Sequence, residues 1–377
     1  MMTFASIGRL WAKIVTLLVI GLTLGGCWDN RPVDYRALIF TIGFSPGPKP
    51  GELKMLFQFP TPPAMAQYSK GSGASGSSPV GNVTGEGPSV ARCFNGAQAQ
   101  VSRDLYLGQI QIVAVSTKLS APLFYSSLNS LDRTGAFDKT PFMFATAQSL
   151  KKVASFPTTQ NNFPSLYYVD LFSCMHCQTD SLGVRFWQFA SDVATPGVDP
   201  YLPQVSLASK PNHVLVNRVA LYRHLTYVST LNPQNTMTLG ILKGLAHKVS
   251  LFLPRQQATL RAIHGSSRLQ VQDRHGHISA MFHVVLSSTL EGIGTQTETA
   301  AQLALLSHEG SEILARRCLT LLEKTQKLDV DPFGVGRNLD WHHPESFLAI
   351  KHWHKEYPKV HMTVHVQLKI HKMGDLK

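Results

Sequence analysis

Cys27 is the residue whose surroundings most clearly specify a reaction. It follows Leu24-Gly25-Gly26, and small residues before a cysteine at the end of an apolar run form a bacterial lipobox. In that chemistry the thiol takes up diacylglycerol and becomes the new N-terminus, and the small residues let a peptidase close on the backbone. Arg9 and Lys13 supply a basic n-region, and Ile14 to Leu24 gives eleven uncharged residues. A helix that crosses a bilayer needs about 20 apolar residues, so this run suits a secretory signal. An ordinary membrane anchor with a chance cysteine is the plainer reading. Two acyl chains hold far more firmly than one, and the expected result is a body tethered to the outer face of a membrane.

Other residues could do chemistry in principle. Cys174-Met175-His176-Cys177 has the spacing of a small surface disulfide, two idle thiols, a redox pair or half a zinc site. A structural zinc site wants four ligands, and no second CxxC or CxxH follows. His361, His365 and His371 share one face of a candidate strand, where positions i and i+4 lie about 13 Å apart, too far to share one ion directly. His342, His343, His352 and His354 add local density, and solvated histidines are the simplest account. No nucleophile elbow, P-loop or zincin helix is present, and the few carboxylates do not pair at a spacing that suits acid–base work. The expectation is therefore no catalytic residue, no cofactor and no metal site.

These residues must be held by a body of some size. The chain has 377 residues, with 44% apolar and 15% charged, a globular composition. Losing Arg9 and Lys13 with a cleaved leader lowers the net charge from +12 to +10. A tethered extracytoplasmic body rarely meets nucleic acid, so attraction to anionic headgroups or wall polymers is the simpler reading. The excess is spread without a run of five basic residues, and no specific docking patch is visible.

Periodicity then places the elements. Arg36 to Phe44 and Leu53 to Phe59 read as two strands joined by a Pro/Gly-rich turn. Residues 69–82 are Gly/Ser-rich and read as a mobile surface loop. Ser89 is a candidate N-cap for a helix over Val90 to Val101. Ile110 to Val115 reads as a central strand, and Leu119 to Leu131 and Ala147 to Phe156 as helices. Residues 157–181 look irregular, and the four prolines between Thr195 and Pro211 mark a linker. Val214 to Tyr222 with Leu225 to Leu231, and Leu269 to Val271 with His277 to Leu286, read as hairpins, and Thr236 to Ala246 as a short helix. From Glu298 to Leu328 one apolar stripe predicts a helix roughly 45 Å long, with Gly310 a point of division or bend. Val360 to Ile370 alternates strictly and predicts a half-buried strand.

The organisation expected from these elements is a leader over 1–26, an N-terminal α+β domain over 27–200, a small middle domain over 210–265, and a C-terminal α+β domain with the long helix over 268–377. The ordered set Gly26-Cys27-Trp28-Asp29-x-Arg31, Ala37 to Gly43, Gly85-Glu86-Gly87-Pro88-Ser89, Asp104 to Gln109, Gln326, Asp331-Pro332-Phe333-Gly334-Val335-Gly336, Trp353, Glu356-Tyr357-Pro358 and Gly374 resembles the Ger(x)C-type spore germination lipoproteins. Pro32 stands where that family usually has Glu, and Gly43-Phe44-Ser45 replaces its usual Gly-Ile-Asp.

The resemblance implies a three-domain α+β lipoprotein, each domain a mixed or antiparallel sheet with packed helices. It implies a non-enzymatic C subunit on the outer leaflet of the spore inner membrane, working with an A subunit and a polytopic B subunit to answer small nutrients. A solute-binding lipoprotein of an importer is the alternative, disfavoured by hairpins where two lobes of alternating strands and helices are required. A wall-active hydrolase is disfavoured by the lack of an acid–base pair.

Overall fold

The computed structural model describes residues 11, 13–16, 35–61, 79–157, 163–174, 181–209, 212–245, 249–291 and 299–371. Cys27, Cys177 and most of the 69–82 segment lie outside the described residues. Residues 80–82 of that segment enter a strand.

The first eleven strands are β1 (Arg36–Leu38), β2 (Thr41–Pro46), β3 (Leu53–Pro60), β4 (Val80–Gly87), β5 (Asp104–Tyr106), β6 (Ile112–Ser116), β7 (Phe142–Thr146), β8 (Val184–Arg185), β9 (Tyr201–Ser209), β10 (Asn212–Arg223) and β11 (Thr226–Leu231). Nine of them form a mixed sheet in the order β11-β10-β9-β7-β6-β2-β3-β4, with β8 beside β7, while β1 and β5 pair separately. Its centre is parallel, β2 against β6 and β6 against β7. Every residue of β6 and β7 is buried, as parallel strands covered on both faces require.

The period of two divides these strands between two cores. Val113, Val115, Met143 and Ala145 pack with Ala97, Phe124 and Phe189 from the helices Val90–Gln98, Ala121–Asp132 and Phe186–Ala194. Ile112, Ala114, Phe142 and Phe144 face the opposite way, onto Val153 and Tyr168 from the helices Leu150–Ala154 and Pro164–Ser173. Tyr168 also donates its hydroxyl to the Val153 carbonyl at 2.9 Å.

Two segments depart from the sequence reading. Residues 157–181 contain the helix Pro164–Ser173, which starts on a proline at its first turn. Its aromatic residues carry weak helix propensity, and packing of Tyr168 and Phe172 against Phe144 holds it instead. Residues 195–211 are not a linker throughout, because Tyr201–Ser209 is β9. Pro203 is accommodated there beside the one registered pair that joins β9 to β7, Ala145 with Gln204.

The second sheet has the order β12-β13-β14-β15, with β12 (Val249–Leu253), β13 (Ala258–Arg274), β14 (His277–Glu291) and β15 (His361–His371). His275 and Gly276 both take positive φ at the β13–β14 turn, as a two-residue hairpin demands, and Asp273 accepts the Gly276 N–H. β15 lies parallel to β14, so a long crossover must separate them. The helix Ala300–Lys327 supplies it, entered through a capping box between Thr299 and Gln302. The helix runs unbroken through Gly310 and buries Leu306, Leu314, Leu321 and Leu322. Residues 210–265 contribute to both sheets: β10 and β11 extend the first, and β12 opens the second.

The Gly85-Glu86-Gly87-Pro88-Ser89 motif has a steric reason. Ser89 caps the helix Val90–Gln98 by accepting the Arg92 N–H, and that helix folds straight back over β4. A Cβ on Gly85 would stand 1.6 Å from the Cys93 carbonyl oxygen, which is backbone and cannot move aside alone. We expect Gly85→Ala to destabilise the protein by about 3 kcal/mol or more, read as a fall in the denaturant midpoint. A change within about 0.5 kcal/mol would show that the helix does not need this close approach.

Candidate functional site

The residues of the C-terminal motif converge on one buried carboxylate. After the long helix the chain turns at Asp329, in the left-handed region, and wraps around Asp331, which is fully buried. Asp331 accepts the backbone N–H groups of Phe333 (3.2 Å), Gly334 (2.9 Å) and Gly336 (2.9 Å), and the indole N–H of Trp353 (3.1 Å). These donors open the helix Val335–His342, so the carboxylate also meets the positive end of a helix. Burial nevertheless dominates and pushes the Asp331 carboxyl up to about 6, against the backbone hydrogen bonds that lower it.

Asp199 joins this loop to the first sheet. Its N–H donates to the Asp331 carbonyl at 2.8 Å, and its carboxylate accepts the Asp331 N–H at 2.8 Å. The same carboxylate accepts the His224 N–H from the β10–β11 turn and pairs with His354 Nε2 at 3.0 Å. The hydrogen bond to Asp199 raises the His354 pKa against the opposing effect of burial.

Close backbone contact surrounds the carboxylates. Gly197, at φ +74°, lies so near Gly336 that a Cβ on it would stand 2.4 Å from the Gly336 carbonyl carbon. Arg337 donates its N–H to the Gly197 carbonyl and its guanidinium to Asp192 at 3.3 Å. Lys243 donates to the Pro332 carbonyl at 2.7 Å over the Tyr201 ring; burial lowers its pKa and raises that of Asp192. Tyr357 bonds Thr325 of the long helix through its hydroxyl, and Gln326 donates to the carbonyls of Tyr357 and Val360. Asp331, Gly336, Trp353, Tyr357 and Gln326 thus fix how the long helix, the loop after it and β9 meet.

Chemically this is a tie. Four donors occupy the Asp331 carboxylate, and three hold that of Asp199, with His354 Nε2 within reach of both oxygens. The remaining candidates lie elsewhere. Cys174 is disulfide-bonded at the end of the helix Pro164–Ser173, its partner sulfur outside the described residues. Cys93 and Cys318 are buried free thiols, pushed by burial to about 11 and about 12, and so are poor nucleophiles. His361 and His365 are exposed on β15, where the His365 ring stacks on His283 at 5.6 Å. Among the described residues no three His, Cys, Asp or Glu side chains group closely enough to hold a metal ion. No helix of the described residues is long and apolar enough to cross a membrane.

Comparison with known proteins identifies the family. The family model described as "Spore germination protein N-terminal domain" matches residues 29–207, and that described as "Spore germination B3/ GerAC like, C-terminal" matches residues 217–374. The chain is a Ger(x)C-type spore germination protein. Similar to it is "Spore germination protein KC" of Bacillus subtilis (strain 168), 22% identical over 391 aligned positions that cover 96% of this chain and 95% of that protein. A crystal structure of the GerBC protein has the same fold, with a TM-score of 0.56 at 15% identity over 89% of this chain and 99% of that one. In this Ger(x)C chain the β9–β10 pairing bridges the two matched regions, and Asp199 with Asp331 bridges them again.

The carboxylate tie has measurable consequences. In Asp331→Asn an amide N–H₂ faces two of the four donors, and we expect a loss of about 3 kcal/mol in denaturant unfolding. A loss below about 1 kcal/mol would mean that Asp331 does not organise the loop.

The pH dependence has a definite sign. Burial raises the folded-state pKa of Asp331 from the ordinary 3.8 to about 6, so its contribution is present below about pH 4 and is lost as pH rises through 6. The His354 pKa is raised from 6.5, so its contribution is present below 6.5 and is lost as pH rises through the folded value. Wild type should therefore lose more stability than His354→Gln on going upward from pH 6.5, read as a steeper fall in the denaturant midpoint. Parallel pH profiles for the two proteins would remove the His354–Asp199 pair as the cause.

Proposed function

We propose that this chain is the lipid-anchored, non-enzymatic C subunit of a germinant receptor, held on the outer face of the spore inner membrane through Cys27. The observation that carries the reading is a lipobox placed directly before a body that belongs to this germination family along both halves. Two acyl chains on the Cys27 sulfur would make release negligible. Nine residue steps lead from Cys27 to Arg36, a span of at most about 30 Å. The folded body would therefore stay close to the bilayer, at high effective concentration beside the A subunit and the polytopic B subunit. Saturated carboxylates and buried thiols support a role in assembly over one in bond making.

The test is Cys27→Ala in sporulating cells, with membrane fractionation, lipid labelling and nutrient-triggered germination as readouts. The expected outcome is loss from the membrane fraction together with loss of the nutrient response. Unlabelled protein that remains with the membrane in spores of normal response would overturn the proposal. Tight binding of a nutrient by the purified chain alone would favour a solute-binding lipoprotein instead.

A further inference from the structure

The outward face of the second sheet carries Arg268, Arg274 and Lys369. Registers fix which side chains share it. Arg274 stands opposite His277, Ser279 beside His361, Arg268 beside His283 and then His365, and Ser287 beside Lys369. The alternate residues point the other way and are buried, Phe282, Val284, Leu286 and Leu368 among them. Along β13, β14 and β15, the described outward positions from Arg261 to Arg274, from His277 to Thr289 and from His361 to His371 include no Asp or Glu. Natural surfaces usually intersperse the two signs, and a face of one sign focuses its field on whatever approaches.

A second observation adjoins this face. Asn338 and His342, from the helix Val335–His342, line the same cleft of about 560 Å³ as Arg268, Asp273 and Arg274. On that helix Trp341 is 68% exposed, and on the short helix packed beside it, Pro344–Ala349, Leu348 is 80% exposed. Large exposed apolar side chains set beside cations suit one environment in particular. Phosphate headgroups neutralise the cations, while an indole and an aliphatic side chain settle at the boundary with the hydrocarbon. A nucleic-acid duplex would use the cations and gain little from Leu348.

We infer that the outward face of β13–β15, with Trp341 and Leu348 at its margin, is a docking surface for an anionic phospholipid bilayer. The inference extends the membrane placement proposed above by adding a second, reversible contact to the covalent tether. With that contact the C-terminal sheet would lie against the headgroups, and the body would have one preferred orientation.

The test uses residues 27–377 with Cys27→Ser, a chain without leader or lipid that keeps every described element from Arg36 to His371. It is floated with phosphatidylcholine vesicles that contain about one quarter phosphatidylglycerol, and with phosphatidylcholine alone. Adsorption is expected to the anionic vesicles only, and to weaken strongly at about 0.5 M salt. Each arginine near such a surface strengthens adsorption roughly fivefold, so Arg268→Gln with Arg274→Gln should lower the partition coefficient roughly 25-fold. Trp341→Ala with Leu348→Ala should weaken adsorption at every salt concentration without changing its salt dependence. Both double variants alter exposed residues, and an unchanged melting temperature confirms that they fold.

Absence of adsorption, equal adsorption to both vesicle types, or no effect of the arginine pair would overturn the inference. Full displacement from vesicles by a matched charge of duplex DNA would overturn it too. Because this chain carries no lipid, any of these failures leaves the Cys27 tether to be judged by its own experiment.

Discussion

The structure depends on the full hydrogen bonding of a carboxylate that has no access to water. A buried charge without partners would cost several kcal/mol, and Asp331 avoids that only because three backbone N–H groups and an indole converge on it. Those donors come from the loop after the long helix and from Trp353, twenty-two residues further on. The Asp331 main chain in turn is paired with Asp199, 132 residues earlier. One satisfied group therefore specifies how three distant stretches of chain meet. Such a network tolerates partial loss poorly, since each freed donor remains buried.

This dependence explains why the family signature gathers in the last third of the chain. Glycine at 197 and 336 permits the two backbones to touch, tryptophan at 353 supplies the fourth donor, and tyrosine at 357 anchors the following turn to Thr325. The sheets themselves are more generic. The first is built by alternation that sends Val113 and Val115 to one core and Ile112 and Ala114 to the other, a pattern that many aliphatic sequences satisfy. The second rests on one apolar face against one helix.

Legibility in the sequence followed the range of the interactions involved. The period-two strand at 361–371, the hairpin closed by Asp273 to Gly276, the Ser89 cap and the long helix all announce themselves within about a dozen residues, and all are present. The helix Pro164–Ser173 was hidden because aromatic packing rather than propensity holds it. β9 was hidden because prolines at 200 and 203 read as breaks, although its partners tolerate them. The carboxylate tie was half visible. Asp331, Gly336, Trp353 and Tyr357 stood out as a set, whereas Asp199 and His354 did not, since nothing local to either residue marks its partner. The lipobox was legible by type and spacing alone, as motifs read by enzymes must be.

The parallel pairing of β14 with β15 has a consequence for how the chain reaches this state. Sixty-nine residues separate the ends of the two strands that face each other, Glu291 and His361 in chain order, and β15 is the final described element. While the polypeptide emerges from its N-terminus, β14 must wait with one edge bare until β15 is available. Non-local closure of this kind is slow and leaves an interval open to wrong partners. Quality control would act most strongly on that interval, and truncation that removes β15 would leave the β14 edge unpaired.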